Sequence, residues 1–300
     1  MMAQQENRAW TIRDLMKFTI DHFHRQGFSE ARLNIELLLS HALACNRIDL
    51  YTHFDKPLSK EELSRFRSLY ERRLAHEPVQ HIVGGTSFMG LHFVVDRRAL
   101  IPRPETETVV EQLMLLCGER GSGQLMTILE IGTGSGNIAV AAAKLIRNIH
   151  VTTMEVSADA LEVARMNAAA HGVEDLITFL HCDVFSSPLP QPSSTFDVLV
   201  SNPPYVSVQE WAGLEPEVRD YEPKGALSDM HDGYRFYDRI IELLPGKIRS
   251  GGAIIVEVGH GQAQQIVRLF AAAGIEDVKV VNDLQGVPRV VRGRWGSEIV

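Results

Sequence analysis

The stretch LEIGTGSG at residues 129–136 decides the fold. It follows a run typical of a buried strand and precedes an apolar helical pattern, so it predicts a strand, a glycine-rich turn and a helix. Glycine lets the backbone come close to a ligand, and the start of a helix offers free N–H groups. The stretch therefore predicts a ligand site at the carboxyl end of a strand in a parallel sheet.

Strand and helix patterns alternate from this stretch to the end of the chain. Seven strands are expected, at Thr127–Ile131, Val151–Glu155, Ile177–His181, Asp197–Ser201, Ala253–Val258, Val278–Val281 and Arg289–Arg292. Helices are expected among them, at Gly136–Leu145, Asp159–His171, Tyr234–Leu244 and Gln262–Ala273. The alternation predicts an α/β, Rossmann-like domain over residues 101–300, with a mostly parallel sheet covered by helices on both faces.

The part of the chain before this domain has a different pattern. Residues 1–77 predict a small N-terminal helical bundle. Ser29 is expected to cap one of its helices, and Ser59 and Glu62 stand at the spacing of a capping box at the start of another.

Residues 78–100 predict a β-hairpin that links the bundle to the α/β domain. Its short strands are expected at Gln80–Val83 and Phe88–Val95, with Gly84-Gly85 between them. The sequence thus predicts three parts, with boundaries after residues 77 and 100.

Composition and charge narrow the function classes. The formal net charge is −8, whereas a protein that grips a long nucleic acid usually has a basic field, so we expect no direct nucleic-acid partner. Cys45, Cys117 and Cys182 have neither metal-site spacing nor a disulfide pattern, which suits a reducing cytosol and predicts no metal. The polar N-terminus and the lack of a long apolar run predict a cytoplasmic protein without a membrane segment. We expect a monomer.

The spacing of the glycines distinguishes between cofactors. A dinucleotide fingerprint needs glycine at positions 132, 134 and 137, but position 137 is Asn and the third glycine is Gly136. Glu130, just before the turn, is unfavourable beside a pyrophosphate, because both groups carry negative charge. It suits a ligand with an ammonium group, such as the methionine moiety of S-adenosyl-L-methionine.

Two further acids follow the next strands. Glu155 can accept both hydroxyls of a ribose, and Asp183 can accept from the exocyclic amine of adenine. One strand-end acid alone is more often a solvated charge, but three beside a glycine loop favour a site for S-adenosyl-L-methionine. The residues expected to bind this cofactor are Glu130, Gly132, Thr133, Gly134, Gly136, Glu155, Asp183 and Asn202.

The segment Asn202-Pro203-Pro204-Tyr205 closes the fourth strand and predicts the reaction site. An amide or aryl-amine nitrogen has a delocalised lone pair, so it must be held with that lone pair facing the methyl group of the cofactor. The Asn202 side-chain oxygen can accept one N–H and the Pro203 carbonyl the other, because proline fixes the backbone in advance. Tyr205 can stack on the planar target. These four residues are the expected catalytic residues of a methyltransferase.

Several motifs make the sequence resemble a known family. They are PVQHIVGG at residues 78–85, FMGLHF at 88–93, LIPRPETE at 100–107, the glycine loop, NPPY at 202–205, EP at 222–223 and EVG at 257–259. Together they resemble the PrmC/HemK family of protein-(glutamine) methyltransferases over nearly the whole chain. The resemblance implies a class I methyltransferase fold, with cofactor contacts from the glycine loop, Glu155 and Asp183.

The resemblance also implies a substrate. It points to the glutamine in the Gly-Gly-Gln loop of class-1 peptide-chain release factors, methylated on its side-chain amide nitrogen and docked with help from the helical bundle. Asn202 and Pro203 are implied to hold this glutamine, and the expected substrate-binding residues are completed by Tyr205, Phe88 and Arg103, the last two at the mouth of the site.

The sequence departs from the family pattern at two places. Glu155 stands where the family usually has Asp, which keeps the carboxylate but lengthens its reach. Relatives usually carry two adjacent glycines where Asp229 and Met230 stand, so the conformation of the segment 228–233 is left open.

Three other functions remain open. A nucleic-acid amino-methyltransferase acting on adenine or guanine could use the same Asn-Pro-Pro-Tyr geometry, although the acidic charge and the lack of a recognition module speak against it. A ribosomal-protein glutamine methyltransferase would carry the same motifs. A non-catalytic binding module that kept the fold is disfavoured by the intact Asn202 site.

Overall fold

The computed structural model describes residues 10–119, 123–186 and 195–296. Within them the chain divides into two units, with the division between Gly84 and Gly85. The predicted three-part division, with its boundaries after residues 77 and 100, stays a prediction. None of the helices in the described ranges is long and apolar enough to cross a membrane.

The first unit is built from helices. They are α1 (Ile12–Arg25), α2 (Ala31–Leu43), α3 (Arg47–Thr52), α4 (Lys60–Leu74) and α5 (Val79–Val83). Ser59 and Glu62 form the expected capping box at the start of α4. The expected cap at Ser29 is wrong, because Glu30 directly precedes α2 and makes no side-chain cap. Apolar side chains such as Phe23, Leu38 and Phe66 form the core of this helical unit.

The second unit opens with a hairpin of β1 (Gly85–Phe88) and β2 (Leu91–Val94). A hairpin is present within residues 78–100, as predicted, but both predicted strands are wrong. Gln80–Val83 lies in helix α5, and Phe88–Val95 contains the turn at Met89 and Gly90 and is not one strand. Pro78 precedes α5, and Gly84 ends it with a φ of 79°. Pro before a helix and a left-handed Gly after it are helix boundary signals, and they decide the conformation of an apolar run this short.

A seven-stranded sheet forms the centre of the second unit. Its strands are β3 (Met126–Ile131), β4 (Ile149–Glu155), β5 (Ile177–His181), β6 (Phe196–Ser201), β7 (Ile248–Glu257), β8 (Ile275–Asn282) and β9 (Pro288–Trp295). Their order is β5-β4-β3-β6-β7-β9-β8. The first five are parallel, and β9 pairs antiparallel with both β7 and β8. The order reverses between β3 and β6, and open α/β sheets bind ligands beside such a reversal.

The remaining helices of the second unit flank the sheet or lie in the segments that connect its strands. They are α6 (Glu107–Glu119), α7 (Asn137–Leu145), α8 (Ala158–His171), α9 (Val208–Trp211), α10 (Pro216–Tyr221), α11 (Lys224–Leu227), α12 (Arg235–Lys247, irregular at Pro245 and Gly246) and α13 (Ala263–Ala272). The seven predicted strands and four predicted helices are all present. The short helices α9 to α11, which follow the NPPY segment, were not predicted because their apolar pattern is too short to show a period.

Candidate active site

A cavity of about 310 Å³ lies at the carboxyl ends of the parallel strands, within the second unit. Its wall includes the glycine loop after β3, Glu155 at the end of β4 and Asn202 after β6. Apolar side chains complete it, among them Ile138, Met154 and Phe236. The reversal in strand order and the glycine loop therefore lead to the same place, as the sequence predicts.

The glycine loop has a backbone that suits glycine. Gly132, Gly134 and Gly136 all have positive φ, at 84°, 53° and 79°. At Gly136 a Cβ would also lie 3.0 Å from the Ala164 Cβ, so the close packing of α8 against the loop needs glycine there. The Asn167 side chain donates to the Ser135 carbonyl at 2.9 Å and further secures the loop.

The two acids after β4 and β5 both line the cavity. Glu155 Oε2 accepts from the Gly134 backbone N–H at 3.0 Å, and its Oε1 accepts from that of Ser157 at 2.9 Å. Asp183 Oδ1 accepts from the Phe185 N–H at 2.9 Å. These bonds fix the direction of both carboxylates, and each oxygen keeps a lone pair for a ligand hydroxyl or amine.

Glu130 lies outside the cavity lining and has no exposed surface. Its Oε2 accepts from the Thr153 hydroxyl at 2.5 Å, and the hydroxyls of Thr153 and Thr133 are 2.6 Å apart. Burial raises the pKa of Glu130 to about 8. Glu130, which was predicted to bind the cofactor, thus contacts the glycine loop through Thr153 and Thr133. Thr133, predicted to bind the cofactor as well, lines the cavity.

Asn202 lies at the cavity with its amide direction fixed. Its Nδ2 donates to Thr106 Oγ1 at 3.1 Å, and Thr106 is 1% exposed. Pro204 lines the cavity as well, whereas the side chains of Pro203 and Tyr205 are not part of the lining.

Tyr205 points toward a buried carboxyl group. Its hydroxyl donates to Glu257 Oε1 at 3.4 Å, and its carbonyl accepts from Gln262 Nε2 at 3.0 Å. Burial raises the pKa of Glu257 to about 7, against hydrogen bonds from Thr106 and Tyr205 and the positive charge of Arg289. Stacking of Tyr205 on a substrate stays a prediction.

The two residues expected at the mouth of the site lie in different surroundings. Arg103 lines the cavity and forms an ion pair with Glu222, whose carboxylate also accepts from the Ile101 N–H at 3.1 Å. Phe88 instead lies in the core, 1% exposed and packed edge-on against Phe93. A large apolar side chain on the inner face of the hairpin is better buried there than at an open mouth.

Sequence reasoning assigned no role to several residues that hold the site together. Thr106, Asn167 and Glu222 belong to this group, as does Glu257. Thr106, Glu222 and Glu257 lie within motifs that carried the family resemblance, so a signal existed for them. Asn167 gave none, since its contacts join α8 to segments far away in the sequence.

The cavity fits S-adenosylmethionine. Its volume lies at the lower end of the range for small-molecule sites. Two carboxylates with fixed directions suit hydroxyl and amine donors, and the apolar wall suits a flat base. Within the described ranges, no group of three or more His, Cys, Asp or Glu side chains is placed to hold a metal ion.

The fold and this site define a class I methyltransferase that uses S-adenosylmethionine. Two family models match the chain, the PrmC N-terminal domain over residues 14–84 and the methyltransferase small domain over residues 113–213. The release factor glutamine methyltransferase of Geobacter sulfurreducens is 41% identical over 96% of this chain and 98% of its own length. That of Chlorobaculum tepidum is 42% identical over 95% of this chain and 97% of its own. The chain belongs to the release factor glutamine methyltransferase family.

A solved structure supports the fold independently. The N-terminal domain of human METTL16 in complex with SAH is 16% identical and has a TM-score of 0.52, with coverage of 77% of this chain and 84% of that one. At this identity the likeness concerns the fold alone.

Proposed function

We propose that this protein transfers a methyl group from S-adenosylmethionine to the side-chain amide nitrogen of the glutamine in the Gly-Gly-Gln loop of class-1 release factors. Both family relatives described above carry the name release factor glutamine methyltransferase. The observation that carries the proposal is the direction of the Asn202 carboxamide at the cavity. Because its Nδ2 donates to Thr106, its oxygen is left to accept an N–H from a substrate.

For methyl transfer to an amide nitrogen, the protein mainly has to bind the two reactants and orient them. The bound cofactor supplies an electrophilic methyl group on a sulfonium. A glutamine amide has two N–H donors on one nitrogen, matching the Asn202 oxygen and the Pro203 carbonyl. Holding both donors turns the nitrogen lone pair toward the methyl group, and this orientation lowers the barrier. Glu155 and Asp183 hold the cofactor, and Arg103 lies where it can contact the substrate loop.

We also propose that the protein acts in the cytoplasm as a monomer, with the release factor as its partner and without binding nucleic acid directly. The acidic net charge supports the last point. The helical unit at residues 10–84 would add contacts to the release factor away from the reacting glutamine.

Mass spectrometry of the substrate tests this proposal. Purified protein, labelled cofactor and unmethylated release factor should give one methyl group on the Gly-Gly-Gln glutamine. The variant Asn202→Ala should methylate about a hundredfold more slowly, as is typical when one well-placed polar group is lost at a reacting centre. A label found on RNA or on a ribosomal protein, with this glutamine unmodified, would instead support one of the alternative functions.

A further inference from the structure

A buried chain of polar groups runs behind Asn202 in the second unit. Asn202 donates to the Thr106 hydroxyl at 3.1 Å, the Tyr205 hydroxyl donates to Glu257 at 3.4 Å, and a hydrogen bond from Thr106 lowers the pKa of Glu257. Thr106 and Glu257 are each 1% exposed. The chain joins three segments, since Thr106 precedes α6, Asn202 and Tyr205 follow β6, and Glu257 ends β7.

The donors and acceptors in this chain set its direction. The Glu257 carboxyl offers an acceptor oxygen whether or not it is protonated, so the single hydroxyl proton of Thr106 can point to it. The Thr106 oxygen then has only lone pairs to offer Asn202. It therefore selects the NH₂ end of the carboxamide and turns the oxygen end away.

This direction matters because the two ends of a carboxamide have nearly the same shape. Rotation by half a turn exchanges an acceptor for a donor without changing the packing. If the NH₂ end of Asn202 faced the substrate, it would meet the N–H groups of the target nitrogen, and no hydrogen bond could form. Binding of the target in the reactive orientation thus depends on what lies behind Asn202.

We propose that Thr106, held by Glu257, is a positioning residue that fixes the Asn202 carboxamide with its oxygen toward the substrate. The proposal rests on the proposed function of Asn202 as an acceptor for the target N–H. It adds that the buried pair behind Asn202, and not Asn202 alone, determines whether the site accepts a hydrogen-bond donor.

Two matched pairs at position 106 test this role, the wild type against Thr106→Val and Thr106→Ser against Thr106→Ala. Thr106→Val keeps the shape of the side chain and removes the hydroxyl, so kcat/KM should fall roughly five- to tenfold, the loss expected for one buried hydrogen bond. Thr106→Ser keeps the hydroxyl and should stay within about twofold of the wild type. Thr106→Ala differs from Thr106→Ser only by the lost hydroxyl. These two variants give a second comparison if Thr106→Val folds poorly. Calorimetry should show the same affinity for S-adenosylmethionine in all of them.

A double-mutant cycle separates positioning from general support of the fold. If Thr106 acts through Asn202, adding Thr106→Val to Asn202→Ala should reduce activity no further. The inference is overturned if Thr106→Val keeps wild-type activity, if serine performs no better than alanine, or if the two substitutions multiply. Failure of the proposed function is distinguishable, because the wild-type protein would then leave the release-factor glutamine unmethylated.

Discussion

Glu130 is a carboxyl group with no exposed surface at the end of β3. Burial, reinforced by the charge of Glu155, raises its pKa to about 8, against hydrogen bonds from Thr153 and the Ala139 backbone amide. The ordinary value is 4.5. In the window between these two values, the folded protein holds a proton that the unfolded chain has released.

This difference predicts how stability changes with pH. From about pH 5 to about pH 8 the folded state binds more protons, so raising the pH lowers the free energy of unfolding, by about 1.4 kcal/mol per pH unit for one full proton. Glu257, with a pKa of about 7, acts in the same direction. Glu130→Gln cannot ionise at this position. Its free energy of unfolding, measured with urea at several pH values, should fall less steeply with pH than that of the wild type. Glu174→Gln, at an exposed position, is the matched control and should keep the wild-type slope. Parallel slopes for Glu130→Gln and the wild type would contradict the prediction.

At the residue scale, the sequence predicts those site residues that belong to short contiguous motifs. The glycine loop and Asn202 belong to such motifs, and the structure places both at one cavity. The partner of Asn202 could not be predicted in this way, because Thr106 lies 96 residues away and meets it only in the folded chain. The burial of Glu130 was also missed, since a strand-end acid gives no sign of which face of the sheet it takes.

Among the elements, the segment 228–233 before α12 resolves the question that its departure from the family pattern left open. The Asp229 carboxylate accepts from the backbone N–H groups of His231, Gly233 and Arg235, at 2.8, 2.9 and 3.2 Å. A glycine at position 229 could not make these bonds. The segment packs closely on the NPPY motif, since a Cβ at Gly233 would lie 2.5 Å from the Tyr205 carbonyl oxygen.

Met230 has a left-handed backbone conformation that favours glycine, although it carries a side chain. Its φ is 59°, and its side chain is 48% exposed, so it gains little from packing. A left-handed conformation costs a side chain about 1–2 kcal/mol, and glycine avoids this cost while losing about 0.5–1 kcal/mol to extra chain entropy. Met230→Gly should therefore raise the free energy of unfolding by up to about 1 kcal/mol. Met230→Ala, which keeps Cβ, should not be stabilised, and equal denaturation midpoints for the two variants would refute the argument.

Long helices and strands were predicted better than short ones. The strands and helices of the sheet domain repeat an apolar pattern over enough residues to fix their type. Gln80–Val83 is too short for that, and an apolar run of this length suits a strand or a helix equally. Its flanking Pro78 and Gly84 carried the information that decides between them.

For the whole molecule, the division between Gly84 and Gly85 separates two independent cores. The helical unit has its own apolar cluster and its own buried polar contacts, in which Arg73 donates to Asn34 at 2.6 Å and to the Glu77 carbonyl at 3.1 Å. The cavity is lined entirely by residues of the second unit. Cofactor binding and the reaction site therefore need no side chain from the first, and its proposed task is contact with the release factor.

Removal of residues 1–84 tests that division of labour. The remaining chain should bind S-adenosylmethionine as tightly as the full chain, because every lining residue of the cavity is kept, and calorimetry serves at once as the check that it folds. Methylation of the whole release factor should fall at least about tenfold in kcat/KM, since binding energy from contacts remote from the reacting group is lost. A short Gly-Gly-Gln peptide is the matched control substrate. It cannot reach such contacts and must be ordered on binding, so it should be a poor substrate for both proteins, and equally poor. If truncation weakens methylation of the peptide as much as that of the whole factor, the helical unit supports the catalytic unit instead of docking the partner.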